Sequence, residues 1–152
     1  MTKIIILLFA LALIKPLLFS HCEVPCGIYD DEMRIKMIAE HINTIEKAMT
    51  QIQELSKEDK KNYNQIVRWV VNKEKHAEEI QHIVSQYFLT QRIKLPEKED
   101  DEAGKNYQLK ITLCHNLLVY AMKSKQTINL AQVEKLKSIL HSFEHVYFGK
   151  KE

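Results

Sequence analysis

The sequence predicts an all-α protein, an antiparallel up-and-down four-helix bundle (residues 31–152) preceded by a non-helical N-terminal segment (residues 21–30). Three observations support this prediction. Glycine and proline are scarce, with three of each in 152 residues. Apolar residues recur at alternating steps of three and four, and no stretch shows the period-two alternation of a half-buried strand. The length suits one domain with a core of ordinary size.

Two helices are predicted in the first half of the bundle. The first begins near Asp31, where acidic neighbours suit a helix N-terminus. Its apolar stripe is Ile35, Ile38, Ile42, Ile45, Met49 and Ile52. A capping box at residues 56–59 is expected to open the second helix, which runs to about Arg92. The stripe of the second helix, broken once by Lys73, is Ile66, Val70, Ala77, Ile80, Val84 and Tyr87.

Two further helices follow a charged connection at residues 95–104. The third is expected over about residues 105–123, with one face formed by Tyr107, Ile111, Cys114, Leu118 and Ala121. Asn129 and Gln132 are expected to cap the fourth helix. Its stripe is Val133, Leu136, Leu140, Phe143 and Tyr147. Gly149 is expected to end it, because glycine favours the left-handed conformation found after a helix C-terminus.

Residues 1–20 have the build of a secretory signal peptide. They carry Lys3, an apolar run at residues 4–14 and no acidic residue. That run is too short to span a bilayer comfortably. We therefore expect export to the periplasm or the exterior, with no stable membrane association once the leader is removed. A retained membrane anchor, or a pro-segment removed in the cytoplasm by a dedicated protease, is the alternative.

The charge of the remaining chain argues against a nucleic-acid partner. Removing the leader removes Lys3 and Lys15 and no acids, so the formal net charge falls from +2 to 0. A neutral body with interspersed acids and bases lacks the basic patch that nucleic acid requires.

The chain has three cysteines, Cys22, Cys26 and Cys114. Export would permit disulfides, and an odd number leaves one thiol over. On composition alone, a Cys22–Cys26 disulfide with Cys114 packed as a small apolar residue is favoured over metal binding.

Two other candidate metal sites are only weakly supported by the sequence. Glu79-x-x-His82 resembles half of a carboxylate di-iron motif, but no other histidine has an acidic residue three positions before it. His141 and His145 lie one helical turn apart, yet no third ligand accompanies them. Surface histidines are the simpler interpretation.

The N-terminal segment offers a chelate if cleavage leaves His21 as the first residue. Its α-amine, the amide nitrogen of Cys22 and the thiolates of Cys22 and Cys26 would form an N₂S₂ square plane, a geometry typical of nickel(II) or copper(II). The His21 imidazole would be left free to approach axially. Pro25 restricts the intervening turn, and Gly27 permits unusual backbone angles.

The same segment, HCEVPCGIY, closely resembles the nickel hook of nickel superoxide dismutase, whose pattern is His-Cys-x-x-Pro-Cys-Gly-x-Tyr. The matching positions are His21, Cys22, Pro25, Cys26, Gly27 and Tyr29. The helical body after this hook (residues 21–30) is also similar to that family's four-helix bundle. The resemblance implies conversion of superoxide to oxygen and hydrogen peroxide by Ni(II)/Ni(III) cycling, in a homohexamer.

The resemblance also implies roles for individual residues. His21, Cys22 and Cys26 would bind the nickel ion, with the His21 imidazole as axial ligand. Tyr29 would stand over the open face and act as a hydrogen-bonding gate. Tyr87 looks like a second tyrosine of the family's site, with a plain core residue as the alternative.

The chain departs from the family pattern at several positions. Glu23 replaces the usual aspartate, and Asp31 stands where proline is common. Met37 and His76 occupy the places of a glutamate and an arginine that orient the axial imidazole in other members, so that arrangement is absent or rebuilt here.

Two other functions compete with the enzyme. One is an exported nickel- or copper-binding bundle without turnover, which would not need the gate that Tyr29 provides. The other is a structural Cys22–Cys26 disulfide without metal, which leaves the position of His21 unexplained.

Overall fold

The computed structural model describes residues 24–97 and 102–149, in which it has four helices and no strand. The helices are α1 (Asp31–Leu55), α2 (Tyr63–His82), α3 (Glu102–Lys125) and α4 (Ala131–Phe148). A π-helical segment, Ile83–Arg92, continues α2 without a break. The all-α prediction is confirmed. The leader and the predicted ligands His21 and Cys22 lie outside the described residues.

The helices pack as an up-and-down ring, in which α1 and α3 each contact α2 and α4. Every residue of the predicted α1 stripe is buried. The aromatic centre of the core is the pair Phe88 and Phe143, both fully buried, with ring centroids 5.0 Å apart in an edge-to-face arrangement. No helix in the described ranges is long and apolar enough to cross a membrane.

The second helix begins later than the sequence predicts. Its N-cap is Asn62, whose side-chain oxygen accepts a hydrogen bond from the backbone of Gln65 at 3.2 Å. Ser56, the first residue of the predicted capping box, instead donates its backbone N–H to Ile52 O at 3.0 Å. The box at residues 56–59 is therefore wrong, because Ser56 closes the last turn of α1 rather than opening α2.

Lys73 is not a break in the buried face of α2 but part of it. Its side chain is buried, whereas Val70, which was expected in the stripe, is 37% exposed. The Lys73 Nζ donates to the backbone oxygens of Ser124, at 2.9 Å, and of Lys125 and Thr127. These carbonyls lie at the end of α3, where helical partners run out. Lys73 thus caps α3 from the neighbouring helix.

The end of the second helix differs from the plain α-helix that the periodicity predicts. In the π-helical segment, hydrogen bonds join residues five apart, as in the bond from Ile93 N to Phe88 O at 2.8 Å. Thr90 repeats the spacing with its side chain, which donates to Ser85 O at 2.7 Å. The wider winding begins directly after α2 and ends at Arg92, close to the hook.

The third and fourth helices follow the predicted pattern with local differences. Cys114 is buried as expected, but Leu117 rather than Leu118 is the fully buried leucine of α3. Asn129 Oδ1 accepts from Ala131 N at 3.0 Å at the start of α4. Gly149 ends α4 with a φ of +64°, as predicted.

Candidate metal centre

The described part of the hook, residues 24–30, is non-helical and leads directly into α1. Cys26 carries a free, exposed thiol. Gly27 has a φ of +76°, in the left-handed region that other residues resist. Asp30 ends the hook by capping α1, since its Oδ1 accepts from Met33 N at 2.9 Å. Of the three predicted ligands, the structure therefore describes only Cys26, at the base of the hook.

The structure brings the two predicted tyrosines together. The ring centroids of Tyr29 and Tyr87 lie 5.9 Å apart in an edge-to-face arrangement. Tyr29 is 39% exposed, whereas the Tyr87 ring is almost fully buried. The Arg92 guanidinium lies 4.3 Å from the centroid of the Tyr29 ring, on which it makes a cation–π contact.

A carboxylate that was not predicted as a site residue joins this group. Asp31 accepts hydrogen bonds from Tyr87 Oη at 2.6 Å and from Arg92 Nε and Nη2, both at 2.8 Å. Tyr147 Oη of α4 donates to the same carboxylate at 2.9 Å. The sequence held one signal for Asp31, its departure from the proline of the family pattern. For Arg92, the only signal in the sequence was its position at the end of the predicted second helix.

Burial and hydrogen bonding set the protonation states of Asp31, Tyr87 and Tyr147. Burial alone would raise the pKa of Asp31, but the hydrogen bonds from Arg92, Tyr87 and Tyr147 outweigh it and lower that pKa. Burial, together with the bond to Asp31, raises the pKa of Tyr87 to about 12. The same causes raise the pKa of Tyr147 to about 12. Both phenols therefore stay protonated at neutral pH and direct their protons to Asp31.

Met37 and His76, the positions at which related proteins orient the axial imidazole, take other partners here. Met37 Sδ accepts a hydrogen bond from Arg34 Nη1 at 3.7 Å. His76 Nδ1 lies 2.8 Å from Nδ1 of His41, which links α2 to α1. His41 Nε2 is buried and has no hydrogen-bond partner. Met37 thus makes a contact within α1, and His76 makes a contact between α2 and α1.

The remaining candidates do not form a competing metal site. Burial raises the pKa of the Cys114 thiol to about 12, so this cysteine is a core residue, as expected. The rings of His141 and His145 lie 6.2 Å apart. Within residues 24–97 and 102–149, no three His, Cys, Asp or Glu side chains are placed to hold a metal ion.

The donor chemistry of the hook fits nickel. Cys26 offers an accessible sulfur, and soft thiolate ligands together with nitrogen donors suit a square-planar nickel(II) ion. A Cys22–Cys26 disulfide would consume this thiol, so the disulfide and the nickel site exclude each other.

Comparison with known proteins identifies the family. The model of the nickel-containing superoxide dismutase family matches residues 17–151, which include the whole hook and almost the whole bundle. No curated protein and no solved structure matches the chain significantly. The chain therefore belongs to the nickel-containing superoxide dismutase family, whose members are enzymes that convert superoxide to oxygen and hydrogen peroxide with a nickel cofactor.

Proposed function

We propose that this dismutase binds its nickel ion at the hook. The α-amine and imidazole of His21, the amide nitrogen of Cys22 and the thiolates of Cys22 and Cys26 would hold the ion. The observation that carries the proposal is the free, exposed thiol of Cys26 inside the matched hook. Anionic thiolate and amidate donors make the Ni(III) state accessible, which is the chemistry that the bound metal supplies.

Tyr29 and Tyr87 have different tasks in this proposal. The Tyr29 hydroxyl has no hydrogen-bond partner among the described residues, so it is free to order water and a small anion at the metal face. The Tyr87 hydroxyl donates its proton to Asp31, which leaves it only lone pairs to offer. Tyr29 therefore gates the site, and Tyr87 holds the Tyr29 ring in place.

The ligand set requires a free α-amine on His21, so residues 1–20 are removed in the mature enzyme. Because an additional residue would convert this amine into an amide, the cut falls directly before His21. The apolar leader favours export, with cytoplasmic cleavage by a dedicated protease as the alternative. The mass of the mature N-terminal peptide and its cellular fraction test both points.

A homohexamer in which neighbouring subunits cover the hooks is part of the proposal. Val24 and Ile28 are each 82% exposed in the single chain, although both are aliphatic. Contact with another subunit would remove them from water and hold a segment that has no fold of its own. Light scattering of the nickel-loaded enzyme measures the number of subunits, and a monomer would contradict this part.

The nickel site is tested with protein that begins at His21 and is loaded under reducing conditions. We expect Cys26→Ser to lose both stoichiometric nickel binding and superoxide turnover. Cys114→Ala, the matched control at the buried cysteine, should keep both. Nickel bound by Cys26→Ser with unchanged affinity would overturn the ligand assignment.

A further inference from the structure

A cavity of about 390 Å³ opens beside the hook, between α1 and the junction of α2 with the π-helical segment. It is lined by Val24, Pro25, Arg34, His82, Ile83, Gln86 and Tyr87. No carboxylate is among these described lining residues, and Arg34 is their one arginine or lysine. The cavity therefore presents a positive charge next to the segment that carries Cys26.

The charge of Arg34 is not neutralised by an ion pair in the described part of the chain. Its guanidinium contacts Met37 Sδ at 3.7 Å and lies 5.0 Å from the centroid of the Tyr87 ring. Arg92, the other arginine near the tyrosines, is held in a two-bond ion pair by Asp31 and contributes little net charge. Arg34 thus supplies an uncompensated positive charge in the lining of this cavity.

Superoxide is a small anion, and its approach is sensitive to such a charge. A cation in a concave, weakly polar site focuses the electric field and raises the local concentration and the association rate of anions, by about tenfold or more. The effect falls with salt, because charges separated by more than about 10 Å are screened at 0.1 M.

We infer that Arg34 is a steering residue, which draws superoxide through this cavity to the hook. The inference rests on the proposed nickel site at the hook. It requires only the charge of Arg34 at this position, not a hydrogen bond to the metal or its ligands. Lysine at position 34 should therefore keep the attraction of superoxide, whereas a neutral side chain of similar length should lose it.

The first test is the salt dependence of the second-order rate constant for superoxide, measured by pulse radiolysis on the nickel-loaded enzyme. We expect Arg34→Gln to lower this constant about threefold to tenfold at low ionic strength and to flatten its decline with salt. Arg34→Lys should keep the wild-type slope. Arg68→Gln is the matched control, since Arg68 is exposed on α2 and α2 begins at the opposite end of the bundle. It should also keep the slope.

The second test needs no nickel. The hook thiols of the metal-free protein are alkylated with iodoacetate, which is an anion, and with iodoacetamide, which is neutral and of similar size. The ratio of the two rates removes any change in thiolate fraction. We expect this ratio to fall severalfold in Arg34→Gln and to stay unchanged in Arg68→Gln. Cys114 does not contribute, because burial raises the pKa of its thiol to about 12.

A wild-type salt slope or a wild-type alkylation ratio in Arg34→Gln overturns the inference. Arg34→Lys distinguishes loss of charge from loss of the guanidinium's shape, because lysine keeps the positive charge without the planar group. If the wild-type protein lacks nickel-dependent turnover, the proposed metal site fails. The alkylation ratio then still decides whether Arg34 attracts anions to the hook.

Discussion

The carboxylate of Asp31 accepts hydrogen bonds from both Nε and Nη2 of Arg92, each at 2.8 Å. This ion pair joins the first residue of α1 to the last residue of the π-helical segment. Two parallel charge-assisted bonds fix orientation as well as distance. The pair therefore sets the position of Arg92, and with it the position of the Tyr29 ring, on which Arg92 lies.

Replacing Asp31 should destabilise the enzyme. In Asp31→Asn a single amide oxygen replaces the carboxylate, so at least one of the two bonds from Arg92 is lost and the partly buried guanidinium loses its counter-ion. We expect the free energy of unfolding to fall by about 2 kcal/mol, allowing for the remaining exposure of the pair. Urea denaturation measures the loss. Glu32→Gln, at the exposed neighbouring position of α1, is the matched control and should change stability by less than about 0.5 kcal/mol.

The two tyrosines of the site should respond differently to loss of the hydroxyl. Tyr87→Phe removes a 2.6 Å bond to a carboxylate, so the free energy of unfolding should fall by about 1.5 kcal/mol. Tyr29→Phe should leave stability within about 0.5 kcal/mol of wild type but lower superoxide turnover. Thermal unfolding and turnover are measured on the same nickel-loaded samples. Equal stability losses in the two variants would contradict this division of roles.

The His41–His76 contact should make stability dependent on pH. Burial and the neighbouring His76 lower the pKa of His41 below 6.5, and the carboxylates of Glu79 and Glu40 oppose this only in part. The unfolded chain then binds a proton more readily than the folded chain, so stability falls as the pH drops below about 6.5. A doubly protonated pair would also lose its hydrogen bond, because both nitrogens would be donors.

Urea midpoints between pH 7.5 and 5.5 test this expectation. The decline should be smaller in His41→Gln than in wild type. His115→Gln, at an exposed position of α3, should keep the wild-type decline. An identical decline in the His41 variant would exclude the pair as its source.

Replacing Lys73 should lower the free energy of unfolding more than replacing an exposed lysine. Its Nζ caps the end of α3 and pairs with Glu74 at 3.1 Å. Lys73→Met keeps the apolar stem but leaves the carbonyls of Ser124 and Lys125 without this donor. We expect a loss of about 2–3 kcal/mol in unfolding free energy. Lys75→Met, at an exposed position of α2, should cost less than about 0.5 kcal/mol in the same urea titration.

Features that depend on neighbouring residues could be predicted from the sequence. The stripe of α1 follows one helical period from Ile35 to Ile52, and all of it is buried. Gly149 ends α4 because glycine is favourable at a positive φ. The hook pattern is dense and chemically specific, and the family match includes it.

Features that depend on distant residues could not be predicted in this way. Asp31 and Arg92 are 61 positions apart, and nothing local indicates that they meet. Periodicity rules place a lysine at the surface, and only the end of a neighbouring helix explains the burial of Lys73. Ser56 was expected to open the second helix, but it closes the last turn of α1, and Asn62 caps α2 instead.

The winding of residues 83–92 makes the length of this segment, rather than its composition, the critical property. In an α-helix, residues five apart point about 140° away from each other. Hydrogen bonds between residues five apart instead stack Tyr87 and Arg92 on one side, where both reach Asp31. Ordinary α-helical winding would keep them on one side only if one residue between them were deleted, because residues four apart in an α-helix lie about 40° from each other. The length of the segment and its winding are therefore matched, and α-helical winding at the present length would turn Arg92 away from Asp31.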